Sequence, residues 1–274
     1  MRQIAAIGGL VLLSGCGGGG GSPTPPSRVP QSLTVNPAAT NLIKIAQEQT
    51  YTASTHYSTG ADSTVSATWQ SDNQNVASID GTGKATGLDS GEATLIAKAE
   101  GLTGTLKIRV VPDYQGTWNG EYVIRACRAS GGFDPKDFCS ADGFKAGQRL
   151  PITFALTQDR DRLSGSVFIG TLDHTLDASS AIRVDGGAAL SGAGSATVED
   201  VKVDTTINPV AIRASGPSLT GSFTLTLGVS GVAGSAAFDA QLGAVTRTAA
   251  TASLRATSLH FSSLRELIEA AMRE

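Results

Sequence analysis

Charge is scarce in this chain. Only 16% of its 274 residues are Asp, Glu, Lys or Arg, the net charge is −3, and no block of Lys and Arg occurs. Gripping nucleic acid or an anionic lipid surface needs a clustered positive footprint, so neither partner class is expected. Histidine is as rare. His56, His174 and His260 are far apart and in no ligand spacing, so they read as plain surface or strand histidines and no metal site is expected. A Gly-x-Ser-x-Gly elbow is missing, which removes the signature of one large hydrolase class. Gly81-Thr82-Gly83-Lys84 holds part of a phosphate loop but lacks the first glycine, a Ser or Thr at position 85 and a following helix; it reads as a hairpin turn. With no catalytic constellation and no cofactor motif, the expectation is a protein that is not an enzyme and carries no cofactor. No apolar run approaches the about 20 residues a membrane-crossing helix needs.

What is present begins at the N-terminus. Arg2 precedes an apolar run from Ile4 to Leu13 that ends in small residues, the pattern of a secretory signal. Within it, Leu13-Ser14-Gly15-Cys16 resembles the lipobox of bacterial lipoproteins. The resemblance implies cleavage after Gly15, so that residues 1–15 are the signal peptide, and acylation of Cys16, including palmitate. More than one acyl chain is enough for lasting membrane attachment. Residue 17 is Gly and not Asp, so the family's inner-membrane retention signal is missing and the outer membrane is the expected site. Residues 16–31 are rich in Gly, Ser and then Pro, a tether with a reach of roughly 20 Å.

Once Cys16 is given to lipid, two of the three cysteines remain. In an exported chain Cys127 and Cys139 are expected to form a disulfide. Closing that short loop is worth about 3 kcal/mol in the chain-entropy model.

From residue 32 to 111 short alternating segments follow one another at close spacing. Leu33-Thr34-Val35, Thr50 to Tyr57, Thr64 to Trp69, Val76 to Ile79, Glu92 to Ala99 and Thr105 to Val111 each read as a strand, with Tyr51, Ala53 and Thr55 sharing one face. No disulfide crosses this region, so Trp69 is expected to fill its centre. Ser32-Leu33-Thr34-Val35-Asn36-Pro37, Thr68-Trp69-Gln70-Ser71-Asp72-Asn73, Val76-Ala77-Ser78-Ile79-Asp80, Gly83-Lys84-Ala85-Thr86-Gly87 and Gly91-Glu92-Ala93-Thr94-Leu95-Ile96-Ala97 come in that order. Together they resemble the bacterial Ig-like group 2 family. The resemblance implies a β-sandwich used in surface and adhesion proteins as spacer or binding module. Two positions depart from the family: Ala46-Gln47 stands where it usually has a glycine, and Ala85 replaces a larger apolar residue.

Pro112-Asp113 marks a boundary, and residues 113–274 read as a second all-β domain. Trp118, Gly120, Tyr122 and Ile124 share one face, and Ile152, Phe154 and Leu156 alternate with polar neighbours. Asp159-Arg160-Asp161-Arg162 reads as a solvated hairpin tip. Further strands are expected at Leu163 to Ile169, Val198 to Val203, Val210 to Ala214, Phe223 to Leu227 and Ala236 to Leu242. Antiparallel strands with one apolar face each must close into a barrel or pack on a second sheet. An up-and-down barrel is expected, with a second sandwich as the alternative. Gly116-Thr117-Trp118 and a late helix are faintly similar to the lipocalin and avidin group. That helix is expected at 263–273, with Ser263 and Glu266 as capping box and Leu264, Leu267, Ile268 and Ala271 as its apolar stripe.

The expected role is therefore a lipid-anchored binding or adhesion module of the bacterial cell envelope. Its partners would be the membrane, through Cys16, and a surface protein or polysaccharide. The alternative is a lipocalin-like carrier of a small apolar ligand. Trp118, Tyr122, Phe133, Phe138, Phe154 and Phe223 are the candidate ligand-binding residues. Phe133 and Phe138 either present a contact surface on the stapled loop or cap one end of the barrel.

Overall fold

The computed structural model describes residues 27–37, 40–134, 138–141, 144–169, 172–178, 181–198 and 200–248. The expected signal peptide, Cys16, most of the expected tether, His260 and the expected helix at 263–273 lie outside the described residues. Every named element is a strand.

Nine strands build the Ig-like part: β1 (Pro30–Pro37), β2 (Leu42–Lys44), β3 (Glu48–Tyr57), β4 (Ser63–Val65), β5 (Thr68–Ser71), β6 (Ala77–Ile79), β7 (Lys84–Gly87), β8 (Gly91–Ala99) and β9 (Leu102–Val111). One sheet runs β1-β3-β7-β6, with β4 also on β3, and the other runs β2-β9-β8-β5. Alternation does the sorting: Tyr51, Ala53, Thr55 and Tyr57 of β3 point inward while their neighbours face out. The stretch read as one strand from Thr64 to Trp69 is two. β4 pairs with β3 and β5 with β8, so the chain changes sheets at Ser66-Ala67.

Trp69 does not fill the centre. It sits half-buried on the edge strand β5, and the middle is held by Ile43, Tyr51, Leu95, Ile108 and Val110. An edge strand meets the opposite sheet only along its margin, so even a large side chain there covers the core and does not occupy it. Trp69 instead lies over Gly83. The Gly83 backbone has φ 84°, and a Cβ there would come within 2.4 Å of the Tyr51 carbonyl. Only glycine fits that hairpin turn. Ala46 has φ 64°, at the position where the Ig-like group 2 resemblance leads one to expect glycine, so the departure costs backbone strain. Ala85 is fully buried.

The second part is an eight-stranded antiparallel barrel: β10 (Gly116–Gly131), β11 (Arg149–Asp159), β12 (Arg162–Ile169), β13 (Leu172–Ala178), β14 (Gly187–Val198), β15 (Val201–Ser215), β16 (Ser218–Val229) and β17 (Gly234–Leu242). Each strand pairs with the next, and β10 closes the ring by pairing with both β11 and β17. A ninth strand, β18 (Val245–Thr248), continues β17 along the lower part of β10. The expected strand at 198–203 spans the end of β14 and the start of β15, which meet in a hairpin there, and the second half of the glycine-rich stretch before it is β14.

The wall has a clear polarity. On β16 Leu219, Phe223, Leu225, Leu227 and Val229 are buried inside, while Thr220, Ser222, Thr224 and Thr226 face outward. On β15 Val203, Thr205 and Ile207 are inside, with Lys202, Asp204 and Thr206 outside. A membrane-spanning barrel needs an apolar outer band and a polar interior. This one is built the other way round, for water outside.

Candidate functional site

The lower end of the barrel faces the Ig-like domain, and the chain between them is fastened at each step. Asp113 lies 2.7 Å from Lys44 of the Ig-like domain and 2.7 Å from Arg247 of β18. Burial pushes the Asp113 carboxyl up, but the two cations outweigh it and hold the group below the usual carboxylate range. Arg247 also covers the ring of Trp118, with its guanidinium carbon 4.6 Å from the ring centroid. The Trp118 indole N–H donates to the Tyr114 carbonyl at 2.9 Å. Tyr114 is fully buried, its hydroxyl 2.6 Å from the Gly186 carbonyl, and burial raises its pKa to about 12. A continuous series of contacts thus runs from Lys44 through Asp113 and Arg247 to the barrel core.

Gln158 secures the other side. Its side-chain oxygen accepts from the Tyr114 N–H at 2.8 Å, and its amide nitrogen donates to the carbonyls of Pro112 and Arg160 at 3.2 and 2.9 Å. Leu42 and Val111 of the Ig-like domain pack against the barrel core itself. Apolar packing and ion pairs act together, so the Pro112-Asp113 boundary is a fastened joint.

Between the two domains this joint leaves a groove of about 410 Å³. Glu92, Lys107 and Arg109 line it from the Ig-like side, and the hairpin tip Asp159 to Arg162 from the barrel side. The tip is therefore more than a solvated turn. Arg109 pairs with Asp161 at 3.2 Å and donates to the Ile182 carbonyl, while the Ile182 N–H donates to the Asp161 carbonyl at 2.7 Å. Lys107 pairs with Glu92 at 2.6 Å. Among the described residues, Arg160 and Arg162 make no ion pair.

The six candidate ligand residues fall into two groups, all buried. Trp118 and Phe154 are cross-strand partners in the lower half of the barrel. Tyr122 and Phe223 meet edge-on at 5.1 Å in the upper half, and both contact Phe238. Phe238 touches Phe144, Phe144 touches Phe138 at 4.4 Å, and Phe138 touches Phe133 at 5.3 Å. Of the two readings of the stapled loop, its rings follow the second: they cap the upper end. The loop is held to the wall by the Cys127–Cys139 disulfide, with Cα atoms 5.5 Å apart. Phe144, beside the stapled loop in sequence, belongs to this cap, and Phe238 completes the stack without any local signal that distinguishes it from other core phenylalanines.

His174 is not at the surface. It points into the barrel from β13, fully buried, and among the described residues neither ring nitrogen has a hydrogen-bond partner within bonding geometry. Gly194 opposite makes room for it, since a Cβ there would lie 3.2 Å from the imidazole. Desolvation lowers the His174 pKa, against the opposing pulls of the Val167 backbone and the Asp173 charge. His56 is exposed and pairs with Asp62 at 2.7 Å.

Residues 30–110, less than a third of the chain, match the bacterial Ig-like domain (group 2). Among solved structures, domains 5–6 of the S-layer protein SbsC are 15% identical, with 82% of this chain and 100% of that one covered and a TM-score of 0.28. Domains 4–9 of surface layer protein SbsC are 15% identical, with 78% of this chain and 31% of that one covered and a TM-score of 0.27. These scores are too low to equate the architectures. No curated protein matches the chain.

Proposed function

We propose that this protein is a lipid-anchored, non-enzymatic binding module of the bacterial cell envelope, held at the outer membrane through Cys16 and engaging a surface protein or polysaccharide. The observation that carries this reading is the fastened joint, which holds an Ig-like domain and a water-facing barrel together by ion pairs and apolar packing with a polar groove between them. Rigid elements hold a binding surface better than a flexible linker does. The Ig-like match supports a surface setting, and the lipobox resemblance supplies the attachment. The tether at residues 16–31 would put the Ig-like domain nearest the membrane and the barrel outward. Replacing Cys16 with Ala and fractionating cells is the test: the variant should leave the membrane fraction, and unchanged fractionation would reject the anchor.

A carrier of a small apolar ligand is the second reading, favoured by the closed barrel and the inward Trp118, Tyr122, Phe154 and Phe223. Entry at the upper end would require the capping rings to part. Titration with a fluorescent fatty acid reads this directly, and saturable binding lost in Phe223→Ser would favour the carrier.

A further inference from the structure

We infer that the groove between the two domains is a binding site for an acidic, carboxylate-bearing glycan, with Arg160 and Arg162 as the residues that hold its carboxylates. The inference rests on the envelope-binding reading and names the ligand class of its groove.

Four cations and three carboxylates line the groove, in a chain where only 16% of residues are charged. Two of the cations are engaged: Lys107 by Glu92 and Arg109 by Asp161. Arg160 and Arg162 have no carboxylate partner among the described residues, and both are exposed. A guanidinium is a planar fork that matches a carboxylate with two parallel hydrogen bonds. The carboxylates of Glu92, Asp159 and Asp161 accept hydrogen bonds, which suits ligand hydroxyls, and they disfavour a dense polyanion. A ligand with both hydroxyl donors and spaced carboxylates satisfies the two sets together. Among the lining residues only Leu42 and Ile108 are apolar and none is aromatic. That leaves no deep apolar pocket for a peptide anchor and no ring face to stack on a neutral sugar.

The backbone of the tip adds an independent observation. Asp159 and Arg162 are paired, so Arg160 and Asp161 form a two-residue turn. Arg160 occupies it with φ 57°, where glycine or asparagine is the ordinary choice. Non-glycine residues held in such conformations concentrate at functional sites. Here the strained residue is the one that brings to the rim a guanidinium with no carboxylate partner among the described residues.

The experiment is isothermal titration calorimetry of the full chain in detergent with tetragalacturonate, and with galactotetraose as the neutral control. Tetragalacturonate should bind and the neutral tetramer should not. The double variant Arg160→Gly, Arg162→Ala should weaken binding at least tenfold. Arg160→Gly alone should weaken it several-fold while keeping or raising Tm, because glycine relieves the turn; loss of affinity then cannot be ascribed to unfolding. Arg149→Ala, at the far end of the barrel, should bind as wild type does. Failure of wild type to bind, equal binding of the neutral tetramer, wild-type affinity in the double variant, or an equal loss in Arg149→Ala would each overturn the assignment. None of these outcomes alters the membrane fractionation of Cys16→Ala, so failure of the groove and failure of the envelope reading are told apart.

Discussion

The chain has two tryptophans, one in each domain, and their surroundings differ in kind. Trp69 lies half-buried on the edge strand β5 of a sandwich whose centre is filled by Tyr51 and aliphatic side chains. Trp118 is fully enclosed, with a hydrogen bond on its indole nitrogen and a guanidinium on its face. A sandwich has edges, and a residue on an edge strand can be large without being central. A closed barrel has none, so every inward residue of adequate depth is wrapped by neighbours on both sides. The Ig-like domain can therefore run its core on alanines such as Ala53, Ala77, Ala85, Ala93 and Ala97. The barrel concentrates its aromatic volume at its two ends and leaves small residues along β14.

The largest effect that could break this comparison is at the tryptophans themselves. Trp118→Ala should cost about 3–5 kcal/mol, whereas Trp69→Ala, with less area to lose, should cost about 1–2 kcal/mol. Denaturant unfolding followed by circular dichroism measures both, and equal losses would mean that edge and interior positions are equivalent here.

Next in size is the joint. Asp113→Ala strips a partly buried carboxylate from two cations. The expected cost is about 1–2 kcal/mol, between that of an exposed pair and that of a fully buried one. In calorimetry the wild-type chain should unfold in one transition, and the variant should resolve into two as the domains part. A single unchanged transition would show that Leu42 and Val111 couple the domains without the ion pairs.

His174 tests the barrel interior. Its folded pKa lies below its ordinary value of 6.5, so between the two pKa values the unfolded chain binds more protons than the folded one. Stability should be fully present above pH 6.5 and fall as the pH drops below it. His174→Leu should remove that decline and raise stability at neutral pH by about 1 kcal/mol, since two buried unpaired nitrogens are replaced by apolar atoms. Thermal melts at pH 5 and pH 7.5 compare them, and an equal acid shift in the variant would acquit His174.

Smallest is Ala46→Gly in the Ig-like domain. Releasing a left-handed alanine gains more than glycine's added chain entropy costs, for a net of about 0.5–1 kcal/mol. A lower Tm would show that the methyl group makes contacts worth more than the strain.

Much of the all-β architecture was open to reading before the coordinates. Strand faces such as Tyr51, Ala53 and Thr55, or Ile152, Phe154 and Leu156, follow from a period of two, and the order of the Ig-like motifs identifies the domain without any contact being known. The two glycines of the 80–84 turn announce a hairpin for the same local reason. Less visible were β2, a three-residue strand held by parallel pairing with β9, and the break between β4 and β5, where one alternating run serves two sheets. The inward turn of His174 was hidden because one polar residue among small ones carries no periodic signal.

Neighbours along the chain are enough to encode strand faces and turn positions, and they carry the Ig-like and lipobox resemblances and the expected pairing of Cys127 with Cys139. Features that depend on distant partners emerge only in the folded chain. Closure of the barrel rests on β10 meeting β17 more than a hundred residues later. The joint rests on Asp113 standing between Lys44 and Arg247, and the groove on Asp161 reaching Arg109. Such pairings follow from shear, twist and packing of whole strands, and no local pattern encodes them. The tip Asp159 to Arg162, the densest charge in that half of the chain, was in plain view as residues; only the fold could set it against the other domain.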